Sequence, residues 1–233
     1  MTISLFEPDP RSAITLRKSG YNVFEFGLSD SERDLDLLMT KKPECSSVLK
    51  PNLKNINLYP DSERFSVVDI CKIPCKTLDG IDFLEVDFMK IDVQGHELAV
   101  LKGAREKLRK CLGVEVEVYF RAFYENQPLF AEIDTFLRSC GFELMDIKNQ
   151  KYFARDGYYG AGELIFGDAI YVKDINHVNS DEIEVIHKLF TINFAYENFS
   201  TAEKIISGNI DHVIRELRLQ EKVNLAFFCE SFG

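Results

Sequence analysis

Apolar positions fall in short runs divided by prolines, glycines and charges. Residues 3–6, ISLF, form an apolar run that stops at EPDP. Proline cannot continue a strand ladder, so this predicts a buried strand ending in a turn. Residues 12–20 carry Ile14 and Leu16 beside Arg17 and Lys18 and then a glycine, the signature of a short helix. YNVFEFGLSD alternates Val23, Phe24 and Phe26 with polar residues and ends in a turn. RDLDLLMT and the β-branched-rich FSVVDICKIP read as strands, and KPECSSVLKPN between them reads as a loop.

A further apolar run predicts a strand over 83–93. A helix is predicted over 97–110, where Leu98, Leu101, Ala104 and Leu108 repeat at spacings of three and four. GVEVEVYF reads as a strand. PLFAEIDTFLRSCGF reads as a helix that Pro128 can start and Gly141 can stop. FELMDI and GELIFGDAIYVK are the last strands. This alternation predicts an α/β domain with a largely parallel sheet over residues 1–173. From 174 the pattern changes. Asn179 with Glu182, and Ser200 with Glu203, have capping-box spacing. Helices are predicted over 180–197 and 200–220, so 174–233 is expected to be a helical extension packed on the domain, or else a lid or partner-binding surface.

Composition narrows the function. The chain has 233 residues, is 45% hydrophobic and contains nineteen Phe, enough for a real core. Its formal net charge of −10 argues against nucleic acid, whose binders carry clustered positive charge. The longest basic cluster, 102–110, is interrupted by Glu106 and Leu108 and reads as a solvated helix face. The six cysteines lack metal-like spacing, so reduced thiols are expected, without a metal or a disulfide framework. The start MTISLFEPDP is no signal peptide, and no stretch approaches the roughly 20 apolar residues of a membrane span. A cytoplasmic protein is expected. Oligomeric state is not legible.

The densest chemistry lies in KIDVQGHE, residues 90–97. Asp92 falls where a strand ends, the usual ligand edge of an open α/β sheet. Gly95 allows a tight turn. Glu97 opens the next helix, where a negative charge suits the dipole. Asp92 and Glu97 read equally as capping groups or as an acid/base pair. His96 beside one acid is a weak metal signal, since a site needs three or four converging ligands.

DFMKIDVQGHELAVLKGA resembles the signature of FkbM-type methyltransferases. The likeness continues in order through LFEPDP, FGLSD, CKTLDG, EVYFRAFYENQPLFAEIDTFLRSCGFELMDI and GELIFGDAIYVK, covering about residues 3–173. It implies a Rossmann-like class I methyltransferase sheet and an S-adenosylmethionine-dependent O-methyltransferase acting on a sugar, glycan or secondary-metabolite hydroxyl. By resemblance, Glu7 would accept hydrogen bonds from the cofactor ribose, with Gly27 and Leu28 near the adenine. Asp92 would lie beside the methionine end and Glu97 would line the same pocket. Glu117 would face the substrate, with Tyr124 on the loop beyond. Asp92 and Glu117 are the candidate catalytic bases, because methyl transfer needs little beyond alignment and a carboxylate within reach of the hydroxyl proton. Arg121 and Arg155 could hold an acidic sugar, or simply serve solubility. Gln94 stands where many family members have Glu.

The resemblance also implies a first strand and a glycine-rich turn before ISLFEP. That strand lies between the second and fourth, so its loss would leave ladder groups unpaired in the interior. Three arrangements answer this: a fragment or late-assigned start, a sheet closed by pairing the second strand with the fourth, or another segment in the gap. The alternative function follows, a non-catalytic methyltransferase-like scaffold that binds a pathway partner through its tail. A nucleotide-linked oxidoreductase is disfavoured because G-x-G-x-x-G is absent.

Overall fold

The computed structural model describes residues 2–82, 84–174, 183–207 and 224–228, the last by its backbone. Strand β1 (Thr2–Phe6) runs into Glu7 and Pro8. Asp9 then caps α1 (Pro10–Lys18), its carboxylate accepting the Arg11 N–H at 2.8 Å. The proline that ends the strand ladder thus lies just before a helix whose own first residue is proline. Gly20, at φ +87°, closes α1 and leads into β2 (Asn22–Phe24), parallel to β1.

Next come β3 (Gly27–Leu28), β4 (Arg33–Thr40), a 3-10 turn at Pro43–Cys45, α2 (Leu53–Ile56), a 3-10 turn at Ser62–Phe65, and β5 (Val67–Lys76). Strands β3, β5 and β4 form a separate three-stranded sheet, which the sequence reading does not foresee. The chain then returns as β6 (Phe88–Ile91), α3 (Glu97–Lys102), α4 (Lys107–Lys110), β7 (Gly113–Tyr119), α5 (Phe130–Ser139), β8 (Phe142–Phe153) and β9 (Glu163–Lys173). It continues with α6 (Ile183–Ala195), α7 (Phe199–Ser207) and β10 (Asn224–Phe228).

The single helix predicted over 97–110 is two. A Cβ on Gly103 would lie 1.9 Å from the Ser29 carbonyl oxygen, so the chain presses against the backbone there. The helix breaks, and the Asp79 carboxylate accepts the N–H groups of Glu106 at 3.0 Å and Lys107 at 2.9 Å to start α4. At the other end of the chain, α7 is capped from Asn198, whose carbonyl accepts the Ala202 N–H at 3.0 Å, and Ser200 lies inside the first turn. The Asn179–Glu182 pair and most of the predicted 200–220 helix lie outside the described residues.

The main sheet has the order β2-β1-β10-β6-β7-β9-β8. The first five strands are parallel, β9 runs antiparallel beside β7, and β8 runs antiparallel to β9 and so in the direction of the first five. The gap between β1 and β6 is filled by β10: Thr2 to Phe6 pair with Asn224 to Phe228, and Leu225 to Phe227 pair with Phe88 to Lys90. Of the three arrangements left open, another segment fills the gap, which corrects the sheet lacking its central strand, and the purely helical extension is corrected with it. Among the described residues of 174–233 are two helices and a central strand.

Alternation along β6 and β7 divides the core between the two faces of the sheet. Met89, Ile91, Val114 and Val116 are fully buried with Val100, Leu101 and Leu137. On the other face Phe88 packs with Ile186, Leu189 and Ile192 from α6. Among the described residues no helix is long and apolar enough to cross a membrane. Cys45, Cys71, Cys75, Cys111 and Cys140 are free thiols.

Candidate functional site

Parallel strands bring their carboxyl ends to one edge, and Phe6 pairs with Phe228, so β1 and β10 end level there. Glu7 follows β1 directly, and Asp92 follows β6. Both line an open cleft together with Phe6, Gly27, Leu28 and Gln94. The small sheet supplies the opposite wall through Leu37, Ile73 and Cys75, and the loop after β4 adds Ser46, Ser47 and Val48.

Glu7 is 4% exposed. Its Oε1 accepts the Asp9 N–H at 2.8 Å, and Oε2 takes no hydrogen bond among the described residues. Burial pushes its pKa up to about 7, against the opposing effect of that hydrogen bond. Gly27 sits where a Cβ would lie 2.8 Å from the sulfur of Cys75, its partner in the small sheet, so backbone alone fits there.

After Asp92 the chain turns through Gln94 and Gly95, at φ +53° and +98°. Glu97 closes this turn: its Oε1 accepts the Val93 N–H at 3.2 Å and the Gly95 N–H at 2.9 Å. It is 1% exposed and does not line the cleft, so the expected pocket-lining role is corrected to one inside the loop. Burial pushes its pKa up to about 7. Glu117, near the end of β7 and 5% exposed, reaches Asp92 through Gln94, whose Nε2 donates to Asp92 Oδ1 at 3.0 Å and to Glu117 Oε2 at 2.9 Å.

Tyr124, expected on a substrate loop, is fully buried. Its hydroxyl lies 3.0 Å from the Cys45 carbonyl and 2.9 Å from Gln94 Oε1, so it anchors the site from within. His96 places Nε2 3.0 Å from the Ser29 hydroxyl, and burial lowers its pKa to about 4, leaving a neutral ring. Arg121 and Arg155 both pair with Glu163, at 2.9 and 2.7 Å.

Asp92, Glu97 and Glu117 bring one carboxylate oxygen each within 4.8 Å of one another. An acid cluster alone is no metal site. Here an amide already bridges two of its members, an arrangement suited to proton handling.

Glu7, Gly27, Leu28 and Asp92 therefore share the cleft, while Glu97, Glu117 and Tyr124 stand behind it. Sequence reasoning missed the wall formed by Leu37, Ile73, Cys75 and Ser47. The two serines in KPECSSVLKPN were the available signal: the Ser47 hydroxyl donates to the Gln94 carbonyl at 2.6 Å.

Comparison with known families matches residues 2–144, more than half of the chain, to the methyltransferase FkbM domain. No significant match was found among curated proteins or solved structures.

Proposed function

The chain belongs to the FkbM methyltransferase family, and from that premise we propose that it moves a methyl group from S-adenosylmethionine to a hydroxyl oxygen of a sugar, glycan or secondary-metabolite acceptor. The observation that carries this reading is the convergence of Glu7 and Asp92, from the ends of β1 and β6, on one cleft. In this reading the main sheet is a Rossmann-like class I sheet in which β10 takes the first strand's place. The free thiols fit a reducing compartment and a cytoplasmic setting.

The residues present fit such a cofactor. Glu7 offers a buried carboxylate with acceptor capacity left on Oε2 for a ribose diol. Phe6, Leu28, Leu37 and Ile73 offer apolar surface to an adenine, and Gly27 keeps that wall free of a side chain. S-adenosylmethionine, when bound, supplies a methyl group already activated on a sulfonium. The protein's own work is then to align the acceptor and take one proton from its hydroxyl. Asp92 at the cleft, backed by Glu117, is placed for that. The scaffold alternative leaned chiefly on a missing glycine-rich turn; β10 supplies the central strand, and cofactor titration separates the two readings.

Calorimetric titration of S-adenosylmethionine into the folded chain tests the proposal. Micromolar binding that weakens at least about tenfold in Glu7→Ala is expected, because charge-assisted hydrogen bonds are the stronger class. A folded chain that takes up no cofactor at millimolar concentration would overturn it.

A further inference from the structure

Gln94 holds a conformation that side chains other than glycine adopt rarely. It is 6% exposed, and its carbonyl is pinned by the Ser47 hydroxyl at 2.6 Å. Its side chain meets four others. Nε2 lies 3.0 Å from Asp92 Oδ1 and 2.9 Å from Glu117 Oε2. Oε1 lies 3.1 Å from the Tyr119 hydroxyl and 2.9 Å from that of Tyr124, which shares its proton with the Cys45 carbonyl.

The amide has two N–H donors, one for each carboxylate, and an oxygen that accepts from the phenols. The reverse orientation would set its oxygen against two carboxyl oxygens and could stand only with both acids protonated. The observed arrangement lets two neighbouring carboxylates stay together without a proton between them. A carboxylate at position 94 would bring no donor and would need an added proton.

We propose that Gln94 is a positioning residue that joins Asp92 and Glu117 into a single proton-accepting pair, bridged by one amide and aimed by Tyr119 and Tyr124. What the pair does rests on the methyltransferase reading; its existence does not. The proton leaving the acceptor hydroxyl passes to one carboxylate, which becomes a carboxylic acid while the other keeps its bond to the amide.

Several charged groups face the pair. Glu97 of α3 completes the acid cluster. Lys90 and Glu115 pair with each other two residues before Asp92 and Glu117, Asp168 of β9 lies opposite Glu117 in register, and the Tyr119 phenol ionises well above its usual range because of burial. None of these donates two hydrogen bonds to the pair as Gln94 does.

The test is carboxyl-carbon NMR titration of the full chain, with Asp and Glu labelled and Asp92 and Glu117 assigned by substitution. In the native chain both signals should follow the same two titration steps. Gln94→Met should move the upper step up by about one pH unit, about tenfold in proton affinity. Tyr124→Phe should move it less, in the same direction. Gln94→Glu, which keeps size and polarity, should add one coupled carboxyl and one bound proton at neutral pH. If Gln94→Met is folded and its curves superimpose on the native ones, the proposal is overturned. If Gln94→Met does not fold, Gln94→Glu decides: Asp92 and Glu117 curves unchanged from the native chain would equally overturn it. Failure of the native chain to bind S-adenosylmethionine would sink the methyltransferase reading and leave these titrations as they stand.

Discussion

Burial sets the behaviour of Glu7 and Glu97, both with pKa values raised from 4.5 to about 7. Between those values the folded chain holds protons that the unfolded chain releases. The contribution of these two groups to stability is therefore full below about pH 4.5, is lost as pH rises through that window, and levels off above about 7. For Glu97 the loss amounts to about 3 kcal/mol. Urea denaturation across pH 5–8 should show it, and Glu97→Gln should remove that part of the slope, since an amide oxygen still accepts the Val93 and Gly95 N–H groups. A variant with native slope would mean that Glu97 is ionised throughout. Glu7 carries a binding consequence. If its carboxylate is the form that accepts a ribose diol, cofactor affinity should rise about tenfold from pH 6 to pH 8, following the ionised fraction. Glu7→Gln should flatten this profile. Asp9 and Arg11 lie beside Glu7, so the variant is needed to assign the effect.

Elements form where local pattern and packing agree, and the divided helix shows packing overriding pattern. The spacing of Leu98, Leu101, Ala104 and Leu108 fits one helix through residue 110. All four sit against the core, yet the backbone of Ser29 crosses at Gly103 and forces the break. Gly103→Ala would improve intrinsic helix propensity in isolation. Here it should destabilise the fold by about 1–3 kcal/mol, because the Cβ has no room and the neighbour is backbone. A melting temperature at or above the native value would show that the loop carrying Ser29 yields. The turn at Gln94 and Gly95 is the opposite case. The sequence shows a glycine and two acids, and the structure adds the left-handed Gln94 that carries the bridging amide.

The whole molecule depends on a pairing between its two ends. β10 lies between β1 and β6 with both ladders made, so it belongs to the interior of the sheet despite its distance along the chain. Ala226→Pro should destabilise by about 3 kcal/mol or more, because proline removes a ladder donor within a central strand. It should also abolish cofactor binding, since Glu7 and Asp92 stand on the strands flanking β10. Hydrogen exchange offers an independent check: amides of 225–227 should be protected as well as those of β6. Fast exchange there with an intact β6 would show that the sheet closes without β10.

The sequence by itself determined the α/β class, the strands at each end of the apolar runs, the family, and the acids at the carboxyl ends of β1, β6 and β7. These rest on local period and on motifs a few residues long, which the chain carries wherever it folds. Tertiary structure decided which acids share a cleft and which stand behind it, because burial and side-chain direction depend on strands brought together from distant positions. It decided that Glu97 serves its own loop, that Tyr124 is an anchor, and that Gln94 joins two carboxylates. It also decided that a strand from the far end of the chain fills the centre of the sheet. NLAFF has ordinary strand composition, and nothing local distinguishes an edge from a central position; only the unpaired ladders of β1 and β6 do.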